Sequence, residues 1–146
     1  MRRLGRNADI VDEREDDGGV SELGDGGQIE ILTTVVPADL GGVPDLSVFL
    51  QHISASLTLC DNADPDVRRD QETLLSRLAS DGDPAYVHDT EGPDDMAAHA
   101  RSILTSNSLT IEVAERKLML GIWQGVYLNE HRHAEHARSA VVTVMD

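Results

Sequence analysis

The spacing of apolar side chains predicts β-strands towards both ends of the globular part of the chain. Between Leu46 and Leu50 apolar residues fall at every second position, and this period of two continues to Leu59. Residues 30–36 are also apolar, but the run is too short to distinguish a strand from a helix. Three later ranges favour strands, with a turn after the first of them: 107–114, 117–130 and 138–145.

The middle of the chain has the period of α-helices. Asp64 is a suitable N-cap and Pro65 a suitable first residue for a helix that should end near Ser80. A second helix is predicted over residues 94–104. The predicted inward stripes are Val67, Gln71, Leu74, Leu75 and Leu78 on the first helix, and Met96, His99, Ala100 and Ile103 on the second. The order of strands, helix, loop, helix and strands indicates an α+β fold.

Composition separates an N-terminal segment from a single domain. Residues 1–27 are rich in Asp, Glu and Gly and poor in large apolar side chains, so we predict that they are disordered. The remaining residues, 28–146, have the size of one domain. Within that domain, residues 37–44 and 81–93 have the composition of loops.

The acidic excess limits the class of partner. The 146-residue chain has 27 Asp and Glu against 12 Lys and Arg, which gives a net charge of −15. Such a charge repels polyphosphates and argues against nucleic acid as a partner. It also keeps a protein soluble at high salt, where self-repulsion is screened, so we interpret the source as a salt-loving (halophilic) organism. An ordinary acidic protein is the alternative.

Apolar content and cysteine usage predict a cytoplasmic protein. No apolar run approaches the roughly 18 residues of a membrane span, and no apolar stretch follows the N-terminal arginines as in a secretory signal. Cys60 is the only cysteine, so no internal disulfide can form, which suits a reducing compartment. We expect Cys60 to be a small buried apolar residue.

The six histidines fall into two groups. His52 shares a predicted strand face with apolar residues, His99 shares a helix face with them, and His88 lies in a loop beside acidic residues. An inward imidazole needs a partner or a pocket, so these three could share a polar site or a metal such as Zn²⁺, with Asp or Glu completing the shell. The second group is predicted to lie in a solvated hairpin tip with at most adventitious metal binding: His131, His133 and His136.

Two acidic segments and one tryptophan offer further candidate sites. DNADPD (61–66) and EGPDD (91–95) could coordinate Mg²⁺, although helix capping and acidic surface explain them without a ligand. Trp123 lies in a predicted strand between Gly121 and Gly125 and is expected either in the core or, with Gln124, on a pocket wall. The chain contains no Gly-rich phosphate loop, nucleophile elbow, paired CxxC or HExxH motif.

Three long segments resemble the YjbQ family in order and spacing. They are QHISASLTLCDNADPDVRRD (51–70), YVHDTEGPDDMAAHARSIL (86–104) and LGIWQGVYLNEHR (120–132). The resemblance implies a seven-stranded β-sandwich with two helices, assembled as a homotrimer. The histidines of the family map onto His52, His88 and His99, and its polar motif residues map onto Ser54, Asn62, Asp64, Asp70, Trp123, Gln124, Glu130 and Arg138.

The resemblance also implies a secondary thiamine-phosphate synthase activity. The three histidines and Glu130 would be catalytic, a divalent metal (Zn²⁺ or Mg²⁺) would assist, and the histidines would be its ligands. The substrate-binding residues would be Ser54, Asn62, Asp70, Trp123, Gln124 and Arg138. Arg68 and Arg69 are further candidates for neutralising the charge of the leaving pyrophosphate. Asp64 or Asp70 could be metal ligands instead. The alternative is a trimer that binds a metal or a small ligand and has another primary role.

The chain departs from the family pattern at several positions. Ile53 and Ile122 stand where the family has Thr, which removes two hydroxyl groups. Arg116 and Lys117 occupy a position where the family has Gly, and residues 1–27 contain no clear match to the first strand of the family.

Overall fold

A computed structural model of the chain describes residues 4–10, 28–30, 45–115, 117–134 and 136–145. In these residues eight strands and two helices follow in the order β1 (Leu4–Ile10), β2 (Gln28–Glu30), β3 (Asp45–Leu50), β4 (Ala55–Asp61), α1 (Pro65–Leu78), α2 (Asp95–Leu104), β5 (Ser108–Ala114), β6 (Lys117–Leu118), β7 (Gln124–Glu130) and β8 (Arg138–Met145). The α+β class and the two helices are confirmed, whereas the described residues contain eight strands, not the expected seven.

The strands form two antiparallel sheets with the apolar core between them. The larger sheet has the order β1-β8-β3-β5-β6 and the smaller one β2-β7-β4. Side chains from both sheets build the core: Leu46, Val48, Leu50, Ala55, Leu57, Leu128 and Ala140. The period of two that predicted β3 and β4 is confirmed, because alternate side chains of a strand face the core. Cys60 is buried, as expected.

The other face of the smaller sheet is covered by the helices and is more polar. Both α1 and α2 contact β4. The cross-strand pairs Ser56–Asn129 and Thr58–Tyr127 lie on this face, and the guanidinium carbon of Arg68 on α1 is 5.3 Å from the centre of the Tyr127 ring. Asn129 donates to Thr58 Oγ1 over 3.1 Å.

The N-terminal prediction is corrected by β1. Leu4–Ile10 pairs antiparallel with β8, with Leu4 opposite Val144 and Ile10 opposite Arg138, so disorder over residues 1–27 is wrong for this stretch. Backbone pairing with β8, rather than local apolar content, holds the strand, which composition could not reveal. Residues 11–27, 31–36 and the predicted loop 37–44 lie outside the described residues.

The first helix begins as predicted, but its stripe is mostly exposed. The carboxylate of Asp64 accepts the backbone N–H of Asp66, and Pro65 is the first helical residue. Of the stripe, Leu75 is buried, whereas Leu74 and Leu78 are exposed.

The predicted inward face of the second helix is wrong. Ala97 and Ala98 are buried, together with the polar residues Asp95 and Arg101, whereas Ile103 is 79% exposed. Small alanines let α2 approach β4 closely, so the helix turns its larger apolar side chains outward. Arg101 is held by the carbonyl of Ala79 and the carboxylate of Asp81.

The single strand predicted over 117–130 is interrupted. Between β6 and β7 the chain turns, and Gln124 N–H donates to Gly121 O over 2.9 Å. The side chain of Gln124 returns to accept Gly121 N–H over 2.7 Å. The turn predicted at 115–116 is confirmed by Glu115, whose φ is +50°. Neither helix of the described residues has the length and apolar composition that crossing a membrane requires.

Candidate functional site

Asp95 and His99, one turn apart on α2, face His88 from the preceding loop. Asp95 Oδ1 lies 3.4 Å from Nε2 of His99, and Oδ2 lies 3.3 Å from Nε2 of His88. The two imidazole rings have their centres 5.2 Å apart and are tilted by 41°. One ligand atom from each residue lies within 4.8 Å of the other two, the only such group of His, Cys, Asp or Glu in the described part of the chain.

A backbone carbonyl determines the tautomer of His99. Nδ1 of His99 is 3.0 Å from the carbonyl oxygen of Ile53. Because a carbonyl can only accept, Nδ1 carries the hydrogen, and neutral His99 presents the lone pair of Nε2 to the cluster. The Thr-to-Ile departure at Ile53 leaves this contact intact, since the contact uses the main chain.

Arg132, at the end of β7, neutralises the acidic side of the cluster. It donates from Nε to Asp94 over 3.0 Å, from Nη1 to Glu91 over 2.9 Å and from Nη1 to Asp95 over 3.2 Å. Burial opposes the charged form of Arg132, but hydrogen bonds to Asp94 and Glu91 raise its pKa above the ordinary value. Burial likewise opposes ionisation of Asp94, yet the His133 N–H and Arg132 lower the pKa of this carboxyl.

A solvent-open cavity of about 480 Å³ lies in front of these residues. Its walls are Ile53, Ser54, His88, Thr90, Glu91, Asp95, His99 and Arg132. Asp95 is almost fully buried beneath it, whereas half of the His88 side chain is exposed. The site therefore combines a buried carboxylate, that of Asp95, with an imidazole of His88 that a ligand can reach from solvent.

His52 does not join this cluster. Its Nε2 accepts the backbone N–H of Ser139 over 2.7 Å, and its Nδ1 lies 3.4 Å from Nη1 of Arg138. Burial, and after it the charge of Arg138, lowers the pKa of His52, so its ring is neutral near pH 7. Two of the three predicted histidines thus come together, with Asp95 as the third member.

Arg138 and Glu130 form a buried ion pair beside the cavity. Glu130 receives two hydrogen bonds from Arg138, at 2.7 and 2.5 Å. Arg138 also donates to the hydroxyl of Ser54, which is part of the cavity wall. Among the residues implied by resemblance, Ser54, Glu130 and Arg138 therefore lie near the histidine cluster.

Three of the other implied binding residues, Asn62, Trp123 and Gln124, lie at the opposite end of β4 and β7. In this ladder Ala55 pairs with Glu130 and Asp61 pairs with Gln124. Six residue steps of a strand span about 20 Å, which separates the two ends. At the far end Asn62 donates to the carbonyl oxygens of Ile122 and Gln124.

Trp123 belongs to this far group, whereas Asp70 lies on α1 and is not part of the cavity wall. The expectation of a core tryptophan is wrong, because Trp123 is 62% exposed in the turn before β7. Asp70 is exposed on α1. Within a single chain, the cavity that contains His99 is therefore not lined by any of these four residues: Asn62, Asp70, Trp123 and Gln124.

The predicted solvated hairpin tip is wrong for His131. The His131 ring is buried, with Nε2 2.9 Å from Ser56 Oγ. Burial, and after it the charge of Arg101, lowers the pKa of His131 to about 4. His133 and His136 are exposed as expected, His133 paired with Asp81 over 2.8 Å.

Sequence reasoning missed Arg132 and assigned Asp95 to capping. The signal for Asp95 was its i, i+4 spacing to His99, which places two ligands on one helix face. Arg132 had no local signal, because its partners lie 37 to 41 positions earlier in the chain.

Known proteins similar to the chain share its sequence over most of the described domain. A UPF0047 protein from Synechocystis sp. is 47% identical over 98 residues, which are 67% of each chain. The UPF0047 protein YjbQ of Salmonella typhimurium is 40% identical over 119 residues, 78% of this chain and 86% of that protein.

A solved structure shows that the similarity extends to the fold, and a family profile identifies the family. The conserved hypothetical protein TT1486 from Thermus thermophilus is 31% identical and matches with a TM-score of 0.66 over 72% of this chain and 80% of that one. The profile of the family described as UPF0047 protein YjbQ-like matches residues 36–146. The chain therefore belongs to the UPF0047 YjbQ-like family, as its three motifs predicted.

Proposed function

We propose that His88, Asp95 and His99 bind a divalent cation, preferentially Zn²⁺, and that the adjoining cavity binds a phosphate-bearing small molecule. The observation that supports this is the spacing of the ligand atoms. The two imidazole nitrogens lie 3.3 and 3.4 Å from oxygens of Asp95. Neighbouring ligands of a tetrahedral zinc ion with bonds of ~2.1 Å are about 3.4 Å apart, whereas charge-assisted hydrogen bonds are shorter.

The tautomer of His99 supports a cation between the two groups. With its hydrogen on Nδ1, neutral His99 directs the lone pair of Nε2 towards the carboxylate of Asp95. Two electron-rich atoms at this separation repel each other unless a proton or a metal ion lies between them. Two imidazoles and one carboxylate leave a fourth position of a zinc shell open for a ligand, as in catalytic zinc sites.

The charge balance explains why an anionic substrate would need that metal. Arg132 is the only lysine or arginine among the described residues of the cavity wall, and its guanidinium is bound to Glu91, Asp94 and Asp95. The wall alone therefore repels a phosphate group. A bound divalent ion would reverse the local charge and could accept a phosphate oxygen in the open position.

The reaction that family resemblance implies is thiamine-phosphate synthesis. In it, the ring nitrogen of the thiazole phosphate bonds to the methylene carbon of the hydroxymethylpyrimidine, the carbon–oxygen bond to pyrophosphate breaks, and pyrophosphate leaves. A bound metal would supply positive charge to the leaving group. His88, Asp95 and His99 would hold it, and Ser54 and Thr90 would offer hydroxyl groups to the substrate from the wall.

A metal- or ligand-binding role without turnover is the second candidate. It is favoured by the engagement of both arginines near the cavity, Arg132 with three acidic residues and Arg138 with Glu130. A synthase would need basic groups to retain pyrophosphate between binding and release.

Metal titration tests the site itself. Isothermal titration of metal-free protein with Zn²⁺ should give one site per chain, and His99→Ala should weaken the affinity by more than about tenfold. His136→Ala, which removes an exposed imidazole outside the cluster, is the matched control and should bind as the wild type does. Equal affinities of wild type and His99→Ala would exclude the proposed metal site.

Turnover distinguishes the two candidates. Zinc- or magnesium-loaded protein is incubated with hydroxymethylpyrimidine pyrophosphate and thiazole phosphate, and thiamine phosphate is measured by chromatography. The synthase proposal expects product from wild type and from His136→Ala, and none from His99→Ala. Tight metal binding without product would favour the role without turnover.

A further inference from the structure

A second solvent-open cavity, of about 360 Å³, shares His88 with the first and is formed by the loop between the helices. Its apolar lining residues are Tyr86 and the prolines Pro84 and Pro93. Asp83 and Asp89 add carboxylates to the same wall. His88 is the one proposed metal ligand among its lining residues, so the metal proposal does not account for this cavity.

The loop that forms the cavity is held by its own backbone. Gly82 N–H donates to the carbonyl of Pro93 over 2.8 Å and joins the two ends of the loop. Gly92 has a φ of +123°, a backbone conformation that favours glycine. A Cβ at this position would lie 3.2 Å from Asp94 Oδ1. Arg101, on α2, anchors the start of the loop through Asp81 over 2.8 Å. A loop held in this way presents a preformed cavity, which lowers the entropic cost of binding.

The wall of this cavity is electronegative. Among the described residues, no lysine or arginine lines it. The carboxylate of Asp83 accepts a backbone N–H from Ala85 over 2.9 Å. Asp89 has no hydrogen bond or ion pair through its carboxylate with any side chain of the described residues. An unneutralised carboxylate beside an aromatic ring attracts cations and repels anions.

We propose that this cavity binds a planar organic cation, such as an N-alkylated or protonated aromatic heterocycle. Tyr86 and the two prolines offer apolar contacts to an organic ring, and a cation over the face of an aromatic ring is attracted by its quadrupole. Asp89 would supply the opposite charge. The inference goes beyond the proposed function and does not depend on a metal at the neighbouring cluster.

Titration with small aromatic probes of different charge tests the inference. In ¹H–¹⁵N spectra, N-methylpyridinium should shift the amide signals of residues 83–92 saturably, whereas benzyl alcohol should bind more weakly and benzoate should not bind. Asp89→Asn should raise the dissociation constant of N-methylpyridinium about two- to fivefold, the usual value of one partly exposed charge. Glu112→Gln, which removes one exposed charge on β5, should leave it unchanged.

Tyr86 separates the role of the ring from that of the hydroxyl group. Tyr86→Phe should keep the affinity within about twofold, and Tyr86→Leu should lower it more strongly because the π face is lost. Equal binding of benzoate and N-methylpyridinium, or equal effects of Asp89→Asn and Glu112→Gln, would overturn the inference. The titration is done with and without Zn²⁺. If the metal site does not exist, the probe should still bind, so each proposal can fail without the other.

Discussion

Arg132 donates from Nη1 to Oδ1 of Asp95 over 3.2 Å. The same oxygen is 3.4 Å from Nε2 of His99, so the arginine and the proposed metal compete for one carboxylate. Without metal the guanidinium neutralises the buried acid. With metal the positive charges of arginine and ion repel each other, which lowers the metal affinity of the site.

Arg132→Gln should therefore change stability and metal affinity in opposite directions. The metal-free variant should lose about 3 kcal/mol of unfolding free energy, because Asp94 and Asp95 remain buried without their partner. Its affinity for Zn²⁺ should rise. Urea unfolding with and without Zn²⁺ measures both effects.

The control is Arg69→Gln, which breaks an exposed pair with Asp66 and should change unfolding by less than about 1 kcal/mol. A metal-free Arg132→Gln protein as stable as the wild type would contradict the assigned role of the arginine.

Glu130→Gln tests the buried pair beside the cavity. The Arg138 side chain is only 6% exposed, so loss of the opposing carboxylate charge should destabilise the fold by about 3 kcal/mol. Zinc affinity should be unchanged, since Glu130 is outside the cluster. Chemical unfolding and zinc titration are the measurements, with Glu112→Gln as the exposed control. A large loss of zinc affinity would place Glu130 in the metal site instead.

The lowered pKa of His131 predicts that the folded protein becomes less stable as the pH falls. Its pKa is about 4 in the folded protein, below the ordinary value of 6.5 that the unfolded chain retains. The unfolded state therefore binds more protons between these values, and stability decreases as pH falls from 6.5 towards 4. Between pH 7 and 5 the expected loss from His131 is about 2 kcal/mol.

His131→Gln should remove that share of the pH dependence. His52, whose pKa is also lowered, contributes in the same direction and stays in the variant, so the difference between the two proteins isolates His131. Parallel pH profiles of wild type and variant, measured by urea unfolding, would show that His131 does not titrate as proposed.

A trimer should cover some of the exposed apolar side chains. Leu74, Leu78 and Ile103 are all more than half exposed, and so is Trp123, the only tryptophan. Sedimentation equilibrium should give about three times the chain mass of 15.9 kDa. If Trp123 lies in the interface, its fluorescence should shift to the blue as concentration rises through assembly. A constant monomer mass would refute the expected trimer.

The net charge of −15 predicts stabilisation by salt. Added salt screens repulsion among the acidic side chains of the folded state, so the melting temperature should rise between ~0.1 and ~2 M KCl. Calorimetry or circular dichroism measures it. A melting temperature that is highest at low salt would support the ordinary acidic protein.

The local rules of the sequence determined the first helix and the core strands. Asp64 and Pro65 act on their own neighbours, so capping could be predicted without the fold. The alternation from Leu46 to Leu50 likewise reports which side of β3 is buried, because the period of a strand is a local property. The order of the elements indicated the α+β class, and the family motifs added the expected β-sandwich.

Tertiary structure alone decided which polar residues meet. His52 and His99 both lie on faces that sequence called inward, yet the N–H of Ser139 holds His52 and the carbonyl of Ile53 holds His99. Burial of Asp95 depends on Arg132, 37 positions later. A charge is stable in the interior only beside its partner, and the sequence does not state which distant residue the fold will bring there.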